Sequence, residues 1–163
     1  MRMISPVKFE PKIDIPDGFY LIQDSREQKP LFKLSKWVVE KGLKTGDYSI
    51  KGFENIVTIE RKSISDLLGT LGQGRDRFEN ELDRMRDYKF RGLLIEGSEN
   101  GLYKYSGWSG LHPNSLYHSL GAIECKWGLH IYYANKPKWA RWWVLSRLTR
   151  MYKYLREGKD DSI

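Results

Sequence analysis

The chain has 163 residues, 40% of them hydrophobic and 30% charged, which describes one folded domain with a real core and excludes a disordered or fibrous chain. A single cysteine, Cys125, and three histidines exclude an internal disulfide and argue against a zinc site. The net charge of +7 and pI of about 9.4 favour an anionic partner, nucleic acid being the commonest.

No run approaches the roughly 18 apolar residues of a membrane span. The opening Met1–Pro6 lacks the apolar centre of a secretion signal, so an intracellular location is expected: cytoplasmic, or nuclear in a eukaryote. Residues 1–17 hold three prolines and little pattern, and read as a loosely held arm. The domain proper is expected over residues 18–156, with a short tail over 157–163. Phe19–Asp24 predicts a strand, and Phe32–Lys41 has the residue mix of a short helix stopped by Gly42. Thr45–Lys51 and Ile56–Lys62 predict two strands joined by Gly52–Asn55.

Ser63 is placed to cap a helix running to Leu68, with Asp66 at its third position, as in a capping box. Gly69, Gly72 and Gly74 predict a flexible link. Arg75–Tyr88 is strongly helical, with Phe78, Leu82 and Met85 on one stripe. Phe90–Glu96 reads as a buried strand, and the Gly/Ser-rich stretch Gly97–Gly110 as a loop. Pro113 opens a helix to about Lys126, Gly128 breaks it, and Leu129–Tyr133 is a strand. Trp139–Leu155 closes the chain as a helix with Ala140, Val144, Leu148, Met151 and Leu155 at helical spacing. Strands alternate with helices after one early hairpin, so the fold class is α/β, a mixed sheet flanked by helices.

The hairpin carries the chemistry. A four-residue loop over Gly52–Asn55 makes Lys51 face Ile56, Tyr48 face Ile59, and Asp47 face Glu60. Tyr48, Ile50, Val57 and Ile59 then point to one face, and Asp47, Ser49, Thr58 and Glu60 to the other. Two carboxylates directly opposite sit with Cβ atoms about 5 Å apart, and like charges there are destabilising. Convergent oxygen ligands suit a hard divalent cation such as Mg²⁺. Lys62, two residues on, shares the face and is placed to orient a water or neutralise phosphate charge. The competing reading is an ordinary solvent-facing strand pair with Lys62 screening the acids.

Three elements stand together in order: Asp24-Ser25-Arg26-Glu27, Gly46-Asp47-Tyr48, and Glu60-Arg61-Lys62-Ser63-Ile64-Ser65-Asp66. They resemble the nuclease domain of the XPF family of structure-selective endonucleases, whose pattern is Asp-x-Arg-Glu, Gly-Asp-Tyr (or Phe) and Glu-Arg-Lys-x-x-x-Asp. The resemblance covers about residues 19–150. It implies a restriction-endonuclease-like core and hydrolysis of DNA phosphodiesters with Mg²⁺ or Mn²⁺. It also implies catalytic-site roles for Asp24, Arg26, Glu27, Asp47, Glu60, Arg61, Lys62 and Asp66. Asp47 and Glu60 would be the metal ligands, with Glu27 an additional one. Lys62 would be the catalytic lysine, with Arg26 and Arg61 holding phosphate or organising the acids. The larger family members carry a tandem helix-hairpin-helix module, and some a helicase. Neither is evident here, so a stand-alone nuclease domain is expected, with selectivity for branched or flapped DNA in repair or recombination left open.

Arg75 and Arg77, with Arg61, are candidate DNA contacts. From Lys136 to Arg156 there are seven basic residues and no acidic one, either a phosphate-binding face or a solvated helix. Trp139, Trp142 and Trp143 read as core first, dimer surface second and base-stacking platform third. Family members act as dimers, so a homodimer through the C-terminal helix region is expected. His112, His118 and His130 are scattered and not needed by the site. The competing function is a catalytically silent DNA-binding or partner-scaffold domain of the same fold; the complete set of motif acids and lysine speaks against it.

Overall fold

The computed structural model describes residues 9–158; the first eight residues of the expected arm and residues 159–163 of the expected tail lie outside them. Six strands form one sheet: β1 (Leu21–Asp24), β2 (Val38–Lys41), β3 (Tyr48–Ile50), β4 (Val57–Ser63), β5 (Phe90–Glu96) and β6 (His130–Ala134). Their spatial order is β2-β1-β3-β4-β5-β6. β1 pairs with β2 in parallel, β4 with β5 and β5 with β6 likewise, while β3 is antiparallel to both its neighbours. β3 alone therefore runs against the other five strands, and the sheet is mixed.

Helices cover both faces, as parallel strands require. They are α1 (Ile64–Leu71), α2 (Arg75–Arg84), α3 (Glu99–Ser106), α4 (Pro113–Trp127) and α5 (Pro137–Glu157), with a 3-10 turn at Gly107–Ser109 after α3. Alternation along the strands sorts the core into two clusters. Tyr48, Ile50, Val57, Ile59 and Leu94 pack with Ala140, Trp143, Val144 and Leu148 of α5. Leu93 and Ile95 pack on the other face with Leu67, Phe78, Leu82, Leu102 and Leu120 from α1 to α4. Trp143 is thus a core residue. The neighbouring Trp139 and Trp142 lie edge to face, 4.9 Å between centroids, nearer the surface.

Four local expectations are corrected. Phe32–Lys41 is not a helix: its end is strand β2, because the β-branched pair Val38 and Val39 extends the sheet beside Leu21 and Ile22. Gly97–Gly110 is not a plain loop. The Ser98 side chain accepts the Gly101 N–H at 3.0 Å and starts α3, whose Leu102 is fully buried. Gly69 lies inside α1, which runs to Leu71, so only Gly72 to Gly74 link the helices. The described part of the arm, residues 9–17, is tied down on α5. Phe9 stacks near Trp139, and the Tyr152 hydroxyl donates to the Asp17 carbonyl at 3.1 Å.

The hairpin register is as expected, with Tyr48 opposite Ile59. Ser49 and Thr58 are fully buried rather than solvent-facing. Their hydroxyls donate to the Val57 and Thr45 carbonyls at 2.6 and 3.1 Å, which satisfies them under α1–α4.

Candidate active site

Two tight backbone links bring the motifs together at the C-terminal ends of β1 and β4. The Asp47 N–H donates to the Ile59 carbonyl at 2.9 Å, and the Asp24 N–H to the Asp47 carbonyl at 2.8 Å. Gly46, just before Asp47, has φ +77, and a side chain there would run into the Thr58 hydroxyl. Only glycine fits that turn, which explains a glycine in front of the acid.

Asp47 and Glu60 lie on the α1–α4 face. Glu60 is 8% exposed, and the Lys62 ammonium lies 3.0 Å from its carboxylate. The Lys62 ammonium also lies over the Phe78 ring of α2, 5.2 Å from its centroid. Burial pushes both acids up, Asp47 to about 6 and Glu60 to about 8. For Asp47 the Arg61 N–H and Lys62 oppose the rise, while Glu27 and Asp24 add to it. For Glu60 the Asp47 charge adds to burial, and Lys62 opposes it. Two crowded, desolvated carboxylates with raised pKa values are a site-like arrangement.

Arg61 turns to the opposite face. Its guanidinium donates to Glu27 at 2.8 Å, to Glu96 at 2.6 Å and to the Lys29 carbonyl at 2.5 Å. The Tyr48 hydroxyl donates to Glu27 at 3.2 Å and accepts the Leu31 N–H at 3.3 Å. Arg61 therefore clamps the loop after β1 to the ends of β4 and β5. The two carboxylates hold its pKa above the ordinary arginine value against the effect of burial.

Arg26 wraps Asp24: its Nε lies 3.1 Å from both carboxylate oxygens, and its Nη2 also donates to the Leu43 carbonyl at 2.7 Å. Burial raises Asp24, but the Arg26 hydrogen bonds and charge outweigh it, so its pKa lies below the usual carboxylate range. Ser63 caps α1 as expected, but Asp66 answers its hydroxyl and not its backbone N–H, so the reciprocal half of a capping box is replaced by a side-chain bond. Ser63 Oγ accepts the Asp66 N–H at 3.0 Å and donates to its carboxylate at 2.7 Å.

The residues that fit a divalent cation are Asp47 and Glu60, oxygen donors whose mutual repulsion such an ion relieves. Among the described residues no group of three or more His, Cys, Asp or Glu side chains is gathered for a metal. Glu27, expected as an additional ligand, accepts hydrogen bonds from Arg61 and Tyr48 on one carboxylate oxygen, and its charge acts on Asp47. Arg77 lines the cleft beside Lys62, whereas Arg75 pairs with Glu79 at 3.1 Å and Ser119 at 3.3 Å. His112 caps α4, His130 stacks on Phe90, and His118 lines a cleft between α3 and α4. Sequence reasoning missed the site-organising parts played by Tyr48 and Glu96. A tyrosine in a core-facing strand position and an acid at a strand end look ordinary until the Arg61 guanidinium is seen between them.

A six-stranded mixed sheet with this acid pair and lysine at its strand ends has the architecture of a nuclease-type domain. The ERCC4 domain model matches residues 22–143, and the chain belongs to that family. The fold is similar to XPF from Aeropyrum pernix, at 21% identity and a TM-score of 0.62, covering 86% of this chain and 69% of that one. It is also similar to XPF from Aeropyrum pernix in complex with DNA, at 23% identity and a TM-score of 0.60, covering 82% of this chain and 64% of that one. No curated protein sequence matches the chain. Among the described residues no helix is long and apolar enough to cross a membrane.

Proposed function

We propose that the chain is a DNA endonuclease that hydrolyses phosphodiester bonds with Mg²⁺ or Mn²⁺. The observation that carries this is the facing pair Asp47 and Glu60, the first half-buried and the second buried, with the Lys62 ammonium 3.0 Å from Glu60. Asp47 and Glu60 would hold the cation; Arg61 and Tyr48 both engage Glu27 Oε2, so Glu27 could join them through its other oxygen. The bound cation would supply charge neutralisation at the scissile phosphate and make a nearby water more acidic. Lys62 donates a hydrogen bond to the attacking water or to a phosphate oxygen, and its ammonium is held between Glu60 and the Phe78 ring. The Arg61 N–H fixes one Asp47 oxygen and leaves the other for the ion. The Arg61 side chain acts by positioning, through the loop it clamps.

DNA is the partner, consistent with family membership, the +7 charge and the DNA-bound homologue. Branched or flapped substrates, such as those of repair and recombination, are the class proposed. Any homodimer through α5 must use the surface left free by the sheet on one side and the arm on the other.

A fluorescent fork, a linear duplex and a single strand, each incubated with Mg²⁺, Mn²⁺ or EDTA, test the reading. Metal-dependent product on at least one DNA, lost by a factor of about 10³ or more in Glu60→Gln and Asp47→Asn, is expected. DNA binding by both variants should survive. Absence of product on every substrate would leave the catalytically silent scaffold as the better account.

A further inference from the structure

Two clefts meet over the exposed face of α1. The first, of about 720 Å³, is lined by Lys62, Asp66, Gln73 and Arg77 among others. The second, of about 510 Å³, is apolar: Ile64 and Leu68 form one side, and Tyr105 and Trp108 the other. Ser65 and Gly69, on the exposed face of α1, line both clefts. A Cβ added at Gly69 would meet nothing within 4 Å, so the missing side chain leaves the passage between them open.

Trp108 is 86% exposed and Tyr105 44%. Their rings meet edge to face at 5.5 Å, which braces the indole without covering it. Trp108 and Tyr105 stand together beside Ile64 and Leu68, so the exposed surface is a contiguous apolar patch and not an isolated ring, the pattern of a binding site. No charged side chain lines this cleft, whereas its neighbour presents Lys62 and Arg77. Flat apolar groups beside cations are the complement of a nucleotide: a base for the aromatic cleft, its phosphates for the basic one. Inside a duplex both faces of a base are covered by its stacked neighbours, so the cleft suits a base that has left the stack.

We infer that Trp108, supported by Tyr105, stacks an unpaired base of the DNA strand that passes Lys62, and that Gly69 keeps the path between them clear. This makes Trp108 a specificity-determining residue that favours DNA with a single-stranded segment next to the cut. The inference rests on the nuclease reading for the identity of the strand, but it is tested by binding alone.

Fluorescence anisotropy in EDTA, with a labelled oligo-dT strand and a blunt duplex of equal length, separates the cases. Trp108→Ala should weaken oligo-dT binding about tenfold or more, Trp108→Phe should restore most of it, and duplex binding should change less than about twofold. Gly69→Leu, in open space on a helix, should fold normally and weaken oligo-dT binding without touching Trp108. The same pattern in a protein that cuts nothing would support the stacking site while the nuclease reading failed. Equal losses on strand and duplex, or no loss at all, would overturn the inference. So would a change of oligomeric state in Trp108→Ala with oligo-dT affinity intact, which would assign the patch to a second copy of the chain.

Discussion

Arg61 donates its backbone N–H to the Asp47 carboxylate at 2.8 Å while its guanidinium holds Glu27 on the other face of the sheet. One residue thus fixes an acid of the candidate metal pair and secures the loop that carries the Asp24-Ser25-Arg26-Glu27 motif. Its place between the two proposed functional residues of β4, Glu60 and Lys62, follows from strand alternation.

Arg61→Ala is expected to cost about 2 kcal/mol of stability, because it strands two carboxylates that are 19% and 34% exposed beside half-buried strand ends. Arg61→Lys should recover less than half of that loss, since one ammonium does not span Glu27, Glu96 and the Lys29 carbonyl as a guanidinium does. Urea unfolding monitored by tryptophan emission measures both. A lysine variant as stable as the wild type would show that the fork geometry is not needed.

The metal-free protein should lose stability as pH rises. Asp47 and Glu60 have folded pKa values raised to about 6 and about 8 from ordinary values of 3.8 and 4.5. Between these limits the folded state binds more protons than the unfolded one, so the contribution is greatest at acid pH and is lost as pH climbs through about 6 to 8. In EDTA, the wild-type Tm relative to Glu60→Gln should therefore fall between pH 5 and pH 8.5. Added Mg²⁺ should raise the wild-type Tm more at pH 8.5 than at pH 5, where protons compete for the same oxygens. A flat difference curve would contradict the crowding of the two acids.

Ser63→Ala should cost about 1 kcal/mol by leaving the Asp66 N–H at the start of α1 without its cap. Because α1 begins where β4 ends, one residue after Lys62, cleavage should fall as well, by a modest factor with KM changed little. Ser63→Thr should restore both. Thermal unfolding and steady-state rates on one substrate give the two readouts together; a fully active but destabilised Ser63→Ala would confine the cap to folding.

The sequence by itself determined the strand pair, its register and the company of acids. A four-residue loop fixes which residues face each other, and period-two alternation then sends Asp47 and Glu60 one way and Tyr48 and Ile59 the other. The helices with strong periodicity, α2 and α5, were legible for the same reason: a local repeat needs no distant partner; α4 was marked by Pro113 and Gly128 at its ends. What only the tertiary structure decided depends on contacts far apart in the chain. Val38 and Val39 become an edge strand because β1 offers a free ladder. Ser98 starts a helix because Leu102 has a core to enter. Glu27 meets Arg61 and Tyr48, residues 34 and 21 positions away, while its charge still acts on Asp47. Trp108, in a stretch that reads as a glycine-rich loop, takes its meaning from a cleft whose other wall is α1. Local pattern encodes which face a side chain takes, whereas the charge or ring it meets there is set by packing between segments that no short window contains.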